Sequence, residues 1–94
     1  MSKRATDLIG KPIVSAHGGK KLGTVADLLL DDGGGEILGL VVRHGMFKSE
    51  DVLPAGAVQS VGPDAIVSRS DDLIGRVEWQ QRHGAPERIR GHHE

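Results

Sequence analysis

The feature that most restricts the fold of this chain is the way glycine-rich turns divide it into short apolar segments. Fourteen of its 94 residues are glycine, and turn-forming clusters such as Gly18-Gly19 and Gly62-Pro63-Asp64 recur along the sequence. The segments between these turns have the length and the β-branched content of strands and are too short for long helices. Several short strands at regular spacing favour an all-β fold, most simply a small barrel.

The strongest signal lies in two apolar segments, residues 22–30 and 36–44, which flank an Asp-Asp-Gly-Gly-Gly sequence at 31–35. A cluster of Asp and Gly between two strand-like segments predicts a β-hairpin. In the second segment, Leu38, Leu40 and Val42 alternate along one face, as a half-buried strand requires. We therefore expect these residues to form the centre of the core, together with Leu28.

The opposite face of this hairpin is also apolar, unlike a sheet with one face in water. If the alternating leucines of the second strand point inward, Ile37 and Val41 point outward. Val25 and Leu29 pose the same problem on the first strand. Contiguous apolar patches usually mark interaction sites, so we expect the C-terminal segment to cover this face, either from the same chain or from a second copy.

The character of the sequence changes after residue 69. A capping sequence at 70–72 predicts a short helix that runs to Arg82, with Leu73, Ile74 and Val77 near one face. The residues beyond 84 are polar and charged, which predicts a frayed tail. The expected organisation is a barrel domain at 6–69, a C-terminal docking segment at 70–84 and a flexible tail at 85–94.

Trp79, the single tryptophan of the chain, lies in this docking segment. Two interpretations of it stay open. Its indole either packs the segment onto the barrel or anchors a partner protein, since tryptophan is enriched at the energetic centres of interfaces.

The order and spacing of several short motifs between residues 7 and 68 resemble the PRC-barrel domain family. The first is a Leu-hydrophobic-Gly-Lys start at 8–11, followed by a glycine turn at 18–19 and a Leu-Gly-x-Val-x-Asp segment at 22–27. A Gly-x-hydrophobic-x-Gly-Leu-hydrophobic-Val strand follows at 35–42. Val52-Leu53-Pro54 and Gly62-Pro63-Asp64-Ala65 are similar to the later elements of the family.

The resemblance implies a small PRC-type β-barrel of about five or six short antiparallel strands, followed by a C-terminal segment with the pattern of a short helix. Family members occur in the cytoplasmic part of the photosynthetic reaction-centre H subunit and in a ribosome-maturation factor that binds a ribosomal protein. This chain shows neither the transmembrane helix of the first nor the N-terminal domain of the second. The family has no shared catalytic residues, so the resemblance implies a protein-binding adaptor.

Charge is distributed unevenly along the chain, although the net charge is only −1. Residues 1–24 carry five basic residues and one acidic residue, a net of +4, whereas residues 25–64 carry two basic and seven acidic residues, a net of −5. These blocks are either ordinary solvated surface or charges that pair across a symmetric interface. Without an overall basic excess, and with one Phe and one Trp as the only aromatic residues, no nucleic-acid partner is expected.

The residues that usually carry chemistry do not form a recognisable catalytic or metal-binding pattern. The chain has no cysteine, which excludes disulfides, thiolate catalysis and cysteine-based zinc sites. The carboxylate pairs at 31–32 and 50–51 are sequence neighbours, and the serines lack a nucleophile elbow. We therefore expect no enzyme activity, no cofactor and no bound metal. The histidines, which lack regular ligand spacing, are His17, His44, His83, His92 and His93.

The function we expect is a non-catalytic adaptor for protein–protein interaction and assembly, which forms a homodimer and also binds an unidentified protein. No apolar run approaches the roughly 20 residues of a membrane span, and the N-terminus lacks the apolar stretch of a signal peptide, so a cytoplasmic location is expected. The alternative function is an accessory role in ribosome maturation or RNA handling, by analogy with the maturation factor. The candidate interface residues are Val25, Leu29, Ile37, Val41, Leu73, Ile74, Val77 and Trp79.

Overall fold

The computed structural model describes residues 5–31, 36–44, 50–83 and 87–88 of the chain. Within them, the structure consists of short strands, one helix and two single 3₁₀ turns, at Ala5–Leu8 and Ala55–Ala57. The strands are β1 (Pro12–Ser15), β2 (Lys21–Leu30), β3 (Ile37–Arg43), β4 (Glu50–Pro54), β5 (Val58–Val61), β6 (Ile66–Ser68), β7 (Ile74–Gly75) and β8 (Glu87–Arg88), and the helix is α1 (Arg76–His83).

The strands form one curled sheet, a half-barrel, in the order β5-β6-β1-β2-β3-β4-β7, with β8 paired to the far end of β2. The all-β prediction is therefore confirmed. The expectation of purely antiparallel strands needs one correction, because β1 and β6 pair in parallel. No hairpin turn sets the direction of β6 relative to β1, since the chain passes through β2 to β5 before it returns to that edge.

The predicted hairpin is the centre of the sheet. Strands β2 and β3 pair in antiparallel fashion from Thr24 opposite Arg43 to Leu30 opposite Ile37. The preceding turn between β1 and β2 contains Gly18 and Gly19 with φ of 98° and 75°, which is the left-handed conformation that glycine adopts most readily. Residues 32–35 of the predicted hairpin turn lie outside the described residues.

The inner face of the half-barrel carries the main core. Leu28, Leu40 and Val42 lie in it, as the alternation in the sequence predicts, but Leu38 does not. The buried members of this inner cluster are Ile13, Val25, Leu28, Leu40, Val42, Leu53 and Ile66.

Two β-bulges in the hairpin explain where the predicted orientations are wrong. The register skips Ala26 on β2 and Leu38 on β3, so each strand contains one extra residue. An extra residue reverses the alternation of side chains beyond it. As a result, Val25 lies in the inner cluster and Ile37 packs against it, although both were predicted to point outward. Leu38 packs against the outer face instead of the core.

The C-terminal segment also begins differently from the prediction. Ile74 and Gly75 form β7 on the edge of β4, with Ile74 opposite Val52, and α1 starts only at Arg76. Glycine costs about 1 kcal/mol in a helix relative to alanine, so pairing at the sheet edge competes well with a helix at this position. Two residues of the predicted tail form β8. No helix in the described part of the chain is long and apolar enough to cross a membrane.

Candidate functional site

The outer face of the sheet carries a second apolar cluster, separate from the inner core. We call it the outer cluster: its buried members are Leu29, Val41, Val52 and Trp79. Leu29, Val41 and Val52 come from three adjacent strands, β2, β3 and β4, and form an apolar floor. The indole of Trp79, only 3% exposed, comes from α1 and covers this floor.

Gly39 lets β4 pack closely against β3 and leaves the edge of the indole at contact distance. A Cβ atom at this position would lie 2.9 Å from Cγ1 of Val52, 3.2 Å from the carbonyl oxygen of Leu53 and 3.4 Å from Cη2 of Trp79. Glycine inside a strand often marks a place where another group comes close to the backbone. The outer cluster is therefore a shaped socket for the indole, with Gly39 in its wall.

The segment that carries Trp79 is attached to the sheet by few contacts. We call residues 69–83 the arm: it comprises a polar linker at 69–73, β7 and α1. Among the described side chains of α1, Trp79 alone is buried, whereas Val77 is 69% exposed. Glu78 and Arg82 form an exposed ion pair of 2.7 Å one turn apart, a contact worth about 0.3–0.5 kcal/mol. An eight-residue helix is not stable alone in water, so α1 depends on Trp79 for its position.

Hydrogen bonds to buried serines hold the linker of the arm against the barrel. The hydroxyl of Ser15 donates to the carboxylate of Asp71, and the hydroxyl of Ser68 donates to the carbonyl oxygen of Ser70 at 2.6 Å. Both serines are buried, and Asp71 is exposed. The linker is thus tied to the barrel at its start.

A shallow polar cleft of about 510 Å³ lies where the linker passes the first residues of β2 and the end of β3. Nε2 of His44 lies 2.7 Å from Oδ2 of Asp51 at its edge. The described residues contain no group of three or more His, Cys, Asp or Glu side chains placed to hold a metal ion. Both basic and acidic residues line the cleft: Lys20, Lys21, Leu22, His44, Asp51, Asp71, Asp72 and Leu73.

Comparison with known protein families decides the classification. The family model for the PRC-barrel domain matches residues 1–74. The chain belongs to the PRC-barrel family. No curated protein matches the sequence. The matched region contains strands β1 to β6 and ends at the first residue of β7, so α1 and Trp79 lie beyond the part that defines the PRC barrel.

The PRC barrel distributes the eight predicted interface residues over four environments. Leu29, Val41 and Trp79 meet in the outer cluster, and Ile74 packs against it. Leu73 and Ile37 pack against the inner cluster. Val25 is buried inside that cluster, and Val77 is exposed to water. The structure therefore brings four of the eight together at one place, where the arm meets the outer face of the sheet.

Three residues of this PRC barrel matter to the site although the sequence analysis did not select them. Gly39 shapes the socket and could have been found as a glycine within an otherwise apolar strand. Val52 completes the floor of the outer cluster. Asp27 is buried, and its carboxylate accepts the N–H of Leu28 at 2.8 Å beside the bulge at Ala26. Asp27 and Val52 belong to the motifs at 22–27 and 52–54, but those motifs do not assign them these roles.

Replacing Gly39 with alanine is expected to lower the free energy of unfolding by about 1–3 kcal/mol, the usual cost of overpacking. The new methyl group would meet Val52 and the Leu53 carbonyl too closely and would only touch the indole of Trp79. Chemical denaturation followed by circular dichroism measures the change. The matched control is Gly56→Ala, where a Cβ meets nothing within 4 Å; equal losses in the two variants would refute tight packing at Gly39.

Proposed function

We propose that this PRC barrel is a non-catalytic protein-binding module that assembles by pairing with a second copy of itself. The observation that carries the proposal is the outer cluster. Its floor of Leu29, Val41 and Val52 is apolar, and the arm covers it chiefly through the side chain of Trp79.

The second apolar cluster, on the outside of the sheet and separate from the inner core, calls for its own explanation. Antiparallel sheets in small domains commonly leave one face polar and in contact with water. Apolar surface on the outside of a domain usually serves association. Tryptophan, which covers the floor here, is the residue type most enriched at the centres of protein interfaces.

The charges near the arm favour a protein partner over RNA. Lys20 and Lys21 lie in the polar cleft together with Asp51, Asp71 and Asp72. Phosphate contacts need a basic surface whose attraction is not cancelled by neighbouring carboxylates. The accessory role in RNA handling therefore remains the second hypothesis, to be separated from the first by experiment.

Light scattering coupled to size-exclusion chromatography, run on the full chain over a wide concentration range, tests the proposal. We expect the mass of a dimer at high concentration, with dissociation on dilution. The dimer should persist at high salt because apolar contacts are not screened. A single monomer mass at every concentration would refute self-association. RNA binding that falls steeply with salt would instead support the alternative.

A further inference from the structure

We propose that the arm is exchanged between two copies of this chain, so that Trp79 of each copy fills the outer cluster of the other. The inference rests on the proposed self-association and names the segment that carries it. Exchange of an identical element between identical chains is a common route to a dimer, because every contact of the closed monomer can be formed again between copies.

The first argument is the shape of the socket. The floor of Leu29, Val41 and Val52, with Gly39 in its wall, fits an indole. The one ligand known to fit it is Trp79 of this sequence. A second copy of the chain carries the same tryptophan on the same helix. The socket therefore fits the partner's side chain without any change in shape.

The second argument is that the arm can leave its own barrel without unfolding it. Strand β7 contributes two residue pairs to the edge of β4, and α1 contributes one buried side chain among those described. The inner cluster is formed by residues outside the arm, with Leu73 packed at its margin. Segments with few buried contacts open at a free-energy cost well below that of global unfolding.

The third argument concerns the linker, which would cross the two-fold axis of an exchanged dimer. If the two linkers ran antiparallel and met at Ser70, Arg69 of each copy would lie opposite Asp71 of the other. In the closed chain, Arg69 is exposed and its guanidinium donates to the carbonyl oxygen of Val58 at 3.3 Å. In this arrangement two oppositely charged pairs would replace the hydrogen bonds that Asp71 accepts from Ser15 and Arg69 donates to Val58 in the closed chain.

This contact between copies matters because docking within one chain is favoured by proximity. A short tether gives an effective concentration on the order of millimolar, so exchange needs either high protein concentration or contacts that only the dimer makes. The five residues of the linker span at most about 18 Å when extended. That reach keeps the two barrels of an exchanged dimer close together.

Disulfide trapping tests the exchange directly, since the chain has no cysteine of its own. Asp51 on β4 and Gly75 on β7 are register partners, and a side chain at Gly75 meets nothing within 4 Å. The variant D51C/G75C is oxidised at the concentration where light scattering finds the dimer and is then run on a denaturing gel without reductant. Exchange predicts a covalent dimer that reductant converts to monomer.

The matched control is T24C/R43C, a register pair within the β2–β3 hairpin. It gives an internal bridge and a monomer band whether or not the arm is exchanged. A second trap, V52C/I74C, uses the adjacent pair of β4 and β7. Neighbouring antiparallel pairs alternate between close and wide Cα spacing, so at least one of the two traps has the close spacing that suits a disulfide.

The outcomes separate the exchange from the proposed function. A dimer by light scattering whose traps close within one chain, as monomer bands, overturns the exchange and leaves self-association standing. A dimer in which neither trap closes also overturns it, because β7 then does not lie on β4 of either copy. A chain that stays monomeric at every concentration refutes both proposals.

Discussion

Replacing Leu40 with alanine is expected to lower the free energy of unfolding by about 2–5 kcal/mol, the range for large-to-small changes in protein cores. Leu40 is 2% exposed and lies at the centre of β3, between Leu28 of β2 and Leu53 of β4. All three belong to the inner cluster, so the truncated side chain leaves a cavity that neighbours on both strands must line. Urea or guanidinium unfolding, extrapolated linearly to water, measures the loss.

The control for this variant is Val61→Ala at the edge strand β5, where the side chain is 41% exposed. Substitutions at exposed positions usually change stability by no more than about 0.5 kcal/mol. A Leu40→Ala protein that unfolds at the same denaturant concentration as the Val61→Ala protein would show that Leu40 does not face the core. The register of the hairpin would then be shifted by one residue, since a one-residue shift turns every side chain to the other face.

Local signals in the sequence predict the elements of this fold well. The turn at Gly18 and Gly19 follows from the conformations that glycine permits. The hairpin follows from two strand-like segments on either side of an Asp and Gly cluster. Leu28, Leu40 and Val42 follow from period-two alternation, and they form part of the inner cluster. Each of these features depends on residues that are close together along the chain.

The side-chain orientations that the sequence does not predict depend on the pairing register with neighbouring strands. Nothing local marks Ala26 or Leu38 as the extra residue of a bulge, because a bulge is defined by the register with the partner strand. The two bulges place Val25 inward and Leu38 outward, against simple alternation. Similarly, the spacing of apolar residues places Ile74 in a helix. Its pairing with Val52 in the structure depends instead on the edge of β4, which no local signal reveals.

The candidate site could be predicted from the sequence only in part. An apolar outer face at Leu29 and Val41 was predictable from the excess of apolar side chains over what one core can bury. Trp79 was recognisable as an important residue, but the choice between packing and partner binding needed the socket next to Gly39. In the described chain the indole packs on its own barrel. Packing and partner binding are compatible if the same socket is filled by a second copy.

Replacing Trp79 with alanine is expected to have the second large effect, a loss of up to about 3–5 kcal/mol in the free energy of unfolding. The loss cannot exceed the free energy with which the arm docks on the sheet. Once the arm has detached, the inner cluster stays folded and nothing more is lost. Detachment exposes the floor of Leu29, Val41 and Val52. We therefore expect stronger binding of a hydrophobic fluorescent dye at denaturant concentrations where the sheet, followed by circular dichroism, is still folded.

The matched control is Val77→Ala on the same helix, where the side chain is 69% exposed. This change removes apolar atoms from α1 without touching the outer cluster, so stability and dye binding should stay close to those of the parent protein. The two variants also separate the functions proposed for the arm, since loss of the dimer in Trp79→Ala and its retention in Val77→Ala would assign self-association to the indole. If Trp79→Ala matched Val77→Ala in stability, dye binding and mass, the indole would neither cover the outer face nor join two copies.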